Sequence, residues 1–286
     1  MGTKSTDKDF KQPFPMVMGI INLSPDSFFK QSRVKGKKEL FMLAEKHLRD
    51  GADILDIGAC STRPGSTPVD EKTELELLIP ALNFLRKEFP DALLSADTFR
   101  WTVAREALQS GIEIINDVSG GMADPEMRPG IRKTKAVYIL THCGKKWPNQ
   151  IPEISDPGAI TEVKKFFLDG MDYFLGTGVT LWLDPGFGFG KTLEDNYRIL
   201  ENMEEISELG LPLVFGVSRK SMIQKVIDVD SGKALNGSTV LNTIGLIKGA
   251  GILRVHDVRE ACEAIKIFNF TRNVKQSGPF INSRHS

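Results

Sequence analysis

The chain has no excess of either charge: 37 Lys and Arg residues balance 37 Asp and Glu residues. No global field therefore favours nucleic acid or an anionic membrane surface. No apolar run approaches the roughly 18–20 residues that span a bilayer. Residues 1–14, MGTKSTDKDFKQPF, lack the apolar stretch of a secretory signal. Gly2 followed by Ser5 and Thr6 partly matches an acylation pattern, but no other feature supports a lipid anchor. Three widely spaced cysteines, Cys60, Cys143 and Cys262, argue against a disulfide framework. Low-complexity linkers are missing too, so nothing divides the 286 residues into separate units. The expectation is a soluble, cytoplasmic protein with one large domain at 14–273, a mobile N-terminal extension at 1–13 and a mobile tail at 274–286.

What is present is a rhythm of apolar runs alternating with helical spacing. The runs that read as buried strands are 17–22, 52–58, 93–98, 112–118, 136–142, 180–184, 213–218 and 251–256. Between them lie stripes at i, i+3, i+4, such as Leu40, Leu43, Ala44, His47 and Leu48, or Val258, Ala261, Cys262, Ile265 and Phe268. Residues 191–209 read as one further helix. Strands apolar on both faces belong to parallel sheets covered by helices. Eight such units in this length fit an α/β fold, a single (β/α)8 TIM barrel, better than an open doubly wound sheet.

A barrel of this kind works at the C-terminal ends of its strands, and there the runs turn polar. Their ends carry Asn22, Asp56, Asp97, Asn116 with Asp117, His142, Asp184, Ser218 to Ser221, and Arg254 with His256 and Asp257. A single Asp or Asn after a strand is ordinarily a turn or capping residue. A polar residue at every end is more than turns require, and Asp56 and Asp97 would be costly to bury unpaired. Arg254 and His256 alternate along one strand and so face the same side, either toward the helices, where a charged Arg would be expensive, or over the barrel mouth, which is the expectation.

The residue types sort by chemistry. Arg63, Lys220, Arg254 and His256, with Ser61 and Thr62, suit an anion such as phosphate, and Asn22 suits an accompanying Mg2+. Asp97, Asn116 and Asp184 suit a ring bearing N–H and NH2 groups. The stretch TLWLDPGFGFGKT, 180–192, adds an acid, three glycines and two phenylalanines. Its GKT ending imitates a phosphate-binding P-loop, but that motif needs glycine where Pro185 stands.

These stretches carry a resemblance. MGIINLSPDSF, DILDIGACSTRPG, SADT, INDVSGG, LDPGFGFGKTLEDNYRIL, GVSRKSMI and ILRVHDV run in order along nearly the whole barrel. The chain resembles the dihydropteroate synthases, a family of pterin-binding barrels. The resemblance implies condensation of 6-hydroxymethyl-7,8-dihydropterin diphosphate with p-aminobenzoate, through a pterin cation left when pyrophosphate departs. It implies a pterin site at Asp97, Asn116, Asp184 and Lys220. It implies a diphosphate site at Asn22, Thr62, Arg63, Arg254 and His256, with Mg2+ at Asn22. The p-aminobenzoate site would comprise Phe28, Thr62, Pro64, Phe189, Lys220 and Ser221. Asp97, Asp184, Lys220 and Arg254 would be the catalytic set, and the protein a homodimer.

The sequence departs from the family pattern at Cys60, where an acid is common, and in the first loop, FFKQSRVKGKK, which lacks an acidic residue. His142 is kept and reads as structural. Two alternatives accompany the resemblance. A methyltetrahydrofolate:corrinoid methyltransferase would share the pterin acceptors but needs no diphosphate site. A silent pterin-binding protein would have lost its closing loop.

Overall fold

The computed structural model describes residues 14–23, 33–60, 68–144 and 158–276. Eight parallel strands run in chain order: β1 Met16–Asn22, β2 Ile54–Gly58, β3 Leu93–Asp97, β4 Ile114–Asp117, β5 Val137–Thr141, β6 Thr180–Asp184, β7 Val214–Phe215 and β8 Ile252–Val255. From β1 to β6 each strand pairs with the next, β7 pairs with β8, and β1 also pairs with β8, placing Met18 opposite Arg254. A bridge from Leu183 to Leu213 brings β6 to β7 and completes the (β/α)8 barrel.

The helices are α1 Arg33–Asp50, α2 Glu71–Glu88, α3 Trp101–Gln109, α4 Met127–Ile131, α5 Ala159–Phe174, α6 Leu193–Glu201, α7 Glu204–Ser207, α8 Ser221–Ile227, α9 Leu235–Ile247 and α10 Val258–Gln276. They form where apolar residues recur at helical spacing, and local chemistry sets their starts. Asp70 caps α2 by accepting from Thr73 N at 2.8 Å. Thr192 and Asp195 make a reciprocal capping box for α6.

Strand alternation divides the core in two. Residues facing the helices, such as Leu55, Leu94, Tyr138, Leu183, Phe215 and Leu253, join the helix stripes in one large cluster. Those facing the barrel axis, Met16, Met18, Ile54, Ile114, Val137, Ile139, Trp182, Val214 and Ile252, form a separate apolar plug. Phe14 meets Trp182 edge-on at 6.3 Å between ring centres. The barrel is therefore filled at its floor, as side-chain layers fill this architecture.

The structure corrects the sequence reading in two places. The segment expected as one helix over 191–209 is two helices, because the capping box delays the start to Leu193 and the chain turns at Asn202 and Met203. Strand β7 is only Val214–Phe215 rather than 213–218, because the chain leaves the sheet at Gly216 toward a turn in which Arg219 has φ 56°. Residues 1–13 and 277–286 of the expected extension and tail lie outside the described residues.

Candidate active site

Above the plug, the inward-facing positions become polar. Asp56, Asp97, Asn116, Asp184 and Arg254 project from β2, β3, β4, β6 and β8. The Arg254 guanidinium sits between two acids, donating from Nε to Asp56 Oδ2 at 2.7 Å and from Nη2 to Asp97 Oδ2 at 2.5 Å. Asn116 Nδ2 donates to the same Asp56 oxygen at 3.1 Å. The position facing inward on the β7 side is Gly216, whose missing side chain leaves room beside Arg254 and Asp184.

Low exposure sets the electrostatics of this mouth. Burial pushes the Asp97 carboxyl up to about 7 against the pull of Arg254, with Asp56 adding to the rise. Asp184 is raised by burial as well, opposed by Lys220 and by the Gly186 N–H. Burial brings Lys220 down to about 8, with Asp184 opposing. Burial alone would lower Arg254, but Asp56 and Asp97 outweigh it and hold the guanidinium firmly charged.

The loop after β6 forms one wall. Asp184 Oδ1 accepts from Gly186 N at 2.7 Å, turning the chain back over the strand end. Gly186 has φ 68°, and a side chain there would run into the His142 carbonyl. The two rings of the loop have different fates. Phe187 is fully buried, packed edge-on against Phe215 at 5.1 Å. Phe189 stays half-buried, with Lys220 Nζ 4.1 Å from its ring centre. The same Nζ donates to the Phe187 carbonyl at 2.6 Å.

Other expected residues fall around this group. Asn22 is exposed at the end of β1, and Ser221 is the exposed first residue of α8. His256 lies just past β8, its Nδ1 paired with Ser218 Oγ at 3.1 Å. Phe28, Ser61, Thr62, Arg63 and Pro64 lie outside the described residues. The expected division into cations for phosphate and acceptors for a ring is not a division in space, since Arg254 stands beside Asp97.

Neighbouring polar residues are structural. Asp117 points toward the helices, where it accepts from Tyr138 Oη at 2.7 Å and from Ser119 N and Gly121 N. Arg219 forks onto Asp257 with two 2.8 Å bonds, joining the loops after β7 and β8. The His142 ring meets Phe166 edge-on at 5.2 Å, in keeping with its structural reading. Cys60, Cys143 and Cys262 are free thiols, each made less acidic by burial. Asp56 was visible in the sequence as an odd polar residue but received no role. It proves to be the hub joining Arg254 and Asn116.

Fold and mouth together define a barrel enzyme with a charged pocket at its C-terminal face. The pattern of the pterin binding enzymes matches residues 18–256, and the chain belongs to that family. Its relatives narrow the family further, to the dihydropteroate synthases. The dihydropteroate synthase of Synechocystis is 39% identical over 258 residues, 88% of each chain. The dihydropteroate synthase of Clostridium difficile, solved in the presence of pteroic acid, superimposes with a TM-score of 0.82 at 35% identity, over 90% of this chain and 97% of that one. The Yersinia pestis enzyme, solved with a sulfonamide drug, gives a TM-score of 0.83 at 35% identity, over 91% and 95%.

Proposed function

We propose that this chain condenses 6-hydroxymethyl-7,8-dihydropterin diphosphate with p-aminobenzoate, giving 7,8-dihydropteroate and pyrophosphate. The observation that carries the reading is the meeting of Asp97, Asn116 and Asp184 with Lys220, Arg254 and the Phe189 ring in one low-exposure mouth. Ring N–H and NH2 groups donate to the carboxylates of Asp97 and Asp184, and the Asn116 amide can serve as both donor and acceptor. Arg254 and His256 hold the diphosphate in this reading, and the family resemblance assigns the same role to Thr62 and Arg63.

The C–O bond to pyrophosphate breaks, and the leaving group takes the electron pair. Arg254 stabilises the departing charge, while the ionised acids stabilise the pterin cation left behind. The aniline nitrogen then attacks that carbon and loses a proton. Phe189, the Lys220 stem and Ser221 border the p-aminobenzoate in this reading, and the family resemblance assigns Phe28, Thr62 and Pro64 to the same site. No covalent enzyme intermediate is needed.

Mg2+ fits the donor set in a limited way. Among the described residues no group of three or more His, Cys, Asp and Glu side chains is arranged to hold a metal. Asn22 offers one exposed amide oxygen at the rim, and Mg2+ characteristically keeps several waters and takes other oxygens from a substrate phosphate. Bound there, it would supply Lewis-acid stabilisation of the leaving pyrophosphate.

Among the described residues no helix is long and apolar enough to cross a membrane. Exposed apolar side chains on α9 and α10, Ile247 at 69%, Ile267 at 68% and Phe270 at 69%, support pairing of two copies. The corrinoid methyltransferase alternative has no observation in its favour. The silent-binder alternative rests on a loop outside the described residues.

The test is turnover of the purified protein with both substrates and Mg2+. Pyrophosphate release that depends on p-aminobenzoate and is inhibited by a sulfonamide supports the proposal. Tight pterin binding without pyrophosphate release would leave only a pterin-binding protein.

A further inference from the structure

Lys191 has no part in the proposed chemistry, yet it is buried, 7% exposed. Its Nζ donates to three main-chain carbonyls, those of His142 at 2.8 Å, Gly186 at 2.9 Å and Phe189 at 3.3 Å. An ammonium has three N–H donors and no acceptor, so this triad uses all of them. The carbonyls come from two loops, His142 following β5 and the other two following β6.

The seam between those loops is tight. Gly144 N donates to the Phe189 carbonyl at 3.0 Å, and a side chain on Gly144 would run into the backbone of Gly190. From the other side, Asn196 Oδ1 accepts from Gly188 N at 2.6 Å, and its amide donates to Thr192 O at 2.5 Å. The loop held this way presents the Phe187 carbonyl and the Phe189 ring to the mouth, and both engage Lys220.

We propose that Lys191 is a positioning residue that staples the β5 and β6 loops together and so fixes Phe189 and Lys220 for the aromatic amine substrate. The inference rests on the reading of the pocket given above and assigns one of its residues a task. The charge of the staple matters. Burial brings Lys191 down to about 7, with Cys143, Asp184 and Glu162 opposing and Lys220 adding to the fall. A neutral amine keeps only two N–H donors and would release one of the three carbonyls.

The test compares wild type with Lys191→Met and Lys191→Arg. In Lys191→Met, KM for p-aminobenzoate should rise about tenfold or more, and the dissociation constant of free pterin should rise clearly less, because Lys220 is the one pterin-site residue held by the stapled loop. Lys191→Arg, which keeps charge and donors, should recover part of that loss. An unchanged KM for p-aminobenzoate, or equal losses for both ligands, would overturn the inference. Hydrogen exchange of the 186–192 amides gives a readout independent of catalysis. It should be faster in Lys191→Met, or in the milder Lys191→Gln if the first variant does not fold, and unchanged exchange would overturn the staple. A wild-type protein without turnover would instead refute the functional reading and leave the exchange test standing.

Discussion

The two ends of the barrel interior are built from the same strands two residues apart, and they do opposite things. Ile54 lies in the floor and Asp56 in the mouth; Ile114 is followed by Asn116, Trp182 by Asp184, and Ile252 by Arg254. One step of the strand period carries the side chain from an apolar plug to a cluster of charges. The floor stabilises by removing apolar surface from water. The mouth contains buried acids whose ionisation is resisted by their surroundings, an arrangement that gains little stability by itself. Within the barrel interior, apolar burial is thus concentrated at one end and chemistry at the other.

This contrast can be broken most severely at the floor. Trp182 is 1% exposed, and Trp182→Ala should destabilise by about 3–5 kcal/mol, measured by denaturant unfolding. Pterin affinity of the folded fraction should be nearly unchanged. A large loss of affinity with little loss of stability would reverse the assignment of the two ends.

In the mouth, Arg254→Gln should weaken the diphosphate substrate by roughly ten- to a hundredfold, on the scale of ~1.5–3 kcal/mol for a charge-assisted hydrogen bond. Free pterin should lose less, through the lost partner of Asp97. Calorimetry with both ligands separates the effects, and equal losses would remove Arg254 from the diphosphate site.

The smallest effect is the pH response. Pterin donors need ionised acids, so affinity should fall as pH drops through about 7, where Asp97 takes up its proton. One acid alone gives a decline of at most about tenfold per pH unit, and Asp184, also raised, adds in the same direction. Folding shows the complementary sign. A carboxyl raised in the folded state favours folding below its ordinary range of about 4, and this contribution is lost as pH rises to about 7. Affinity that is flat from pH 6 to 8 would show that Asp97 does not accept from the pterin.

The strand rhythm was legible because strands buried on both faces read as unbroken apolar runs, and their polar ends marked the working face. The inward direction of Arg254 followed from alternation together with the cost of burying a charged Arg against the helices. Its partners did not, because the meeting of β8 with Asp56 and Asp97 depends on barrel closure through β1. Phe187 and Phe189 share a parity in the sequence, yet glycines at positive φ break the alternation and send one ring into the helix-facing core beside Phe215 and the other to the pocket. Lys191 invited a phosphate role by its spelling. Its real partners are backbone carbonyls, two of them nearby in the loop and one 49 residues away, which no local pattern encodes.

The central claim is that the polar mouth is where pterin is held, and Asp184→Asn tests it most directly. Asparagine is nearly isosteric and stands where burial already resists ionisation, while Lys220 keeps its bond to the Phe187 carbonyl. Calorimetric titration of pterin, run beside unfolding of the same samples, should show affinity lower by about a hundredfold on the ~1.5–3 kcal/mol scale of a charge-assisted bond, with stability little changed. Wild-type affinity in a folded Asp184→Asn protein would contradict the account.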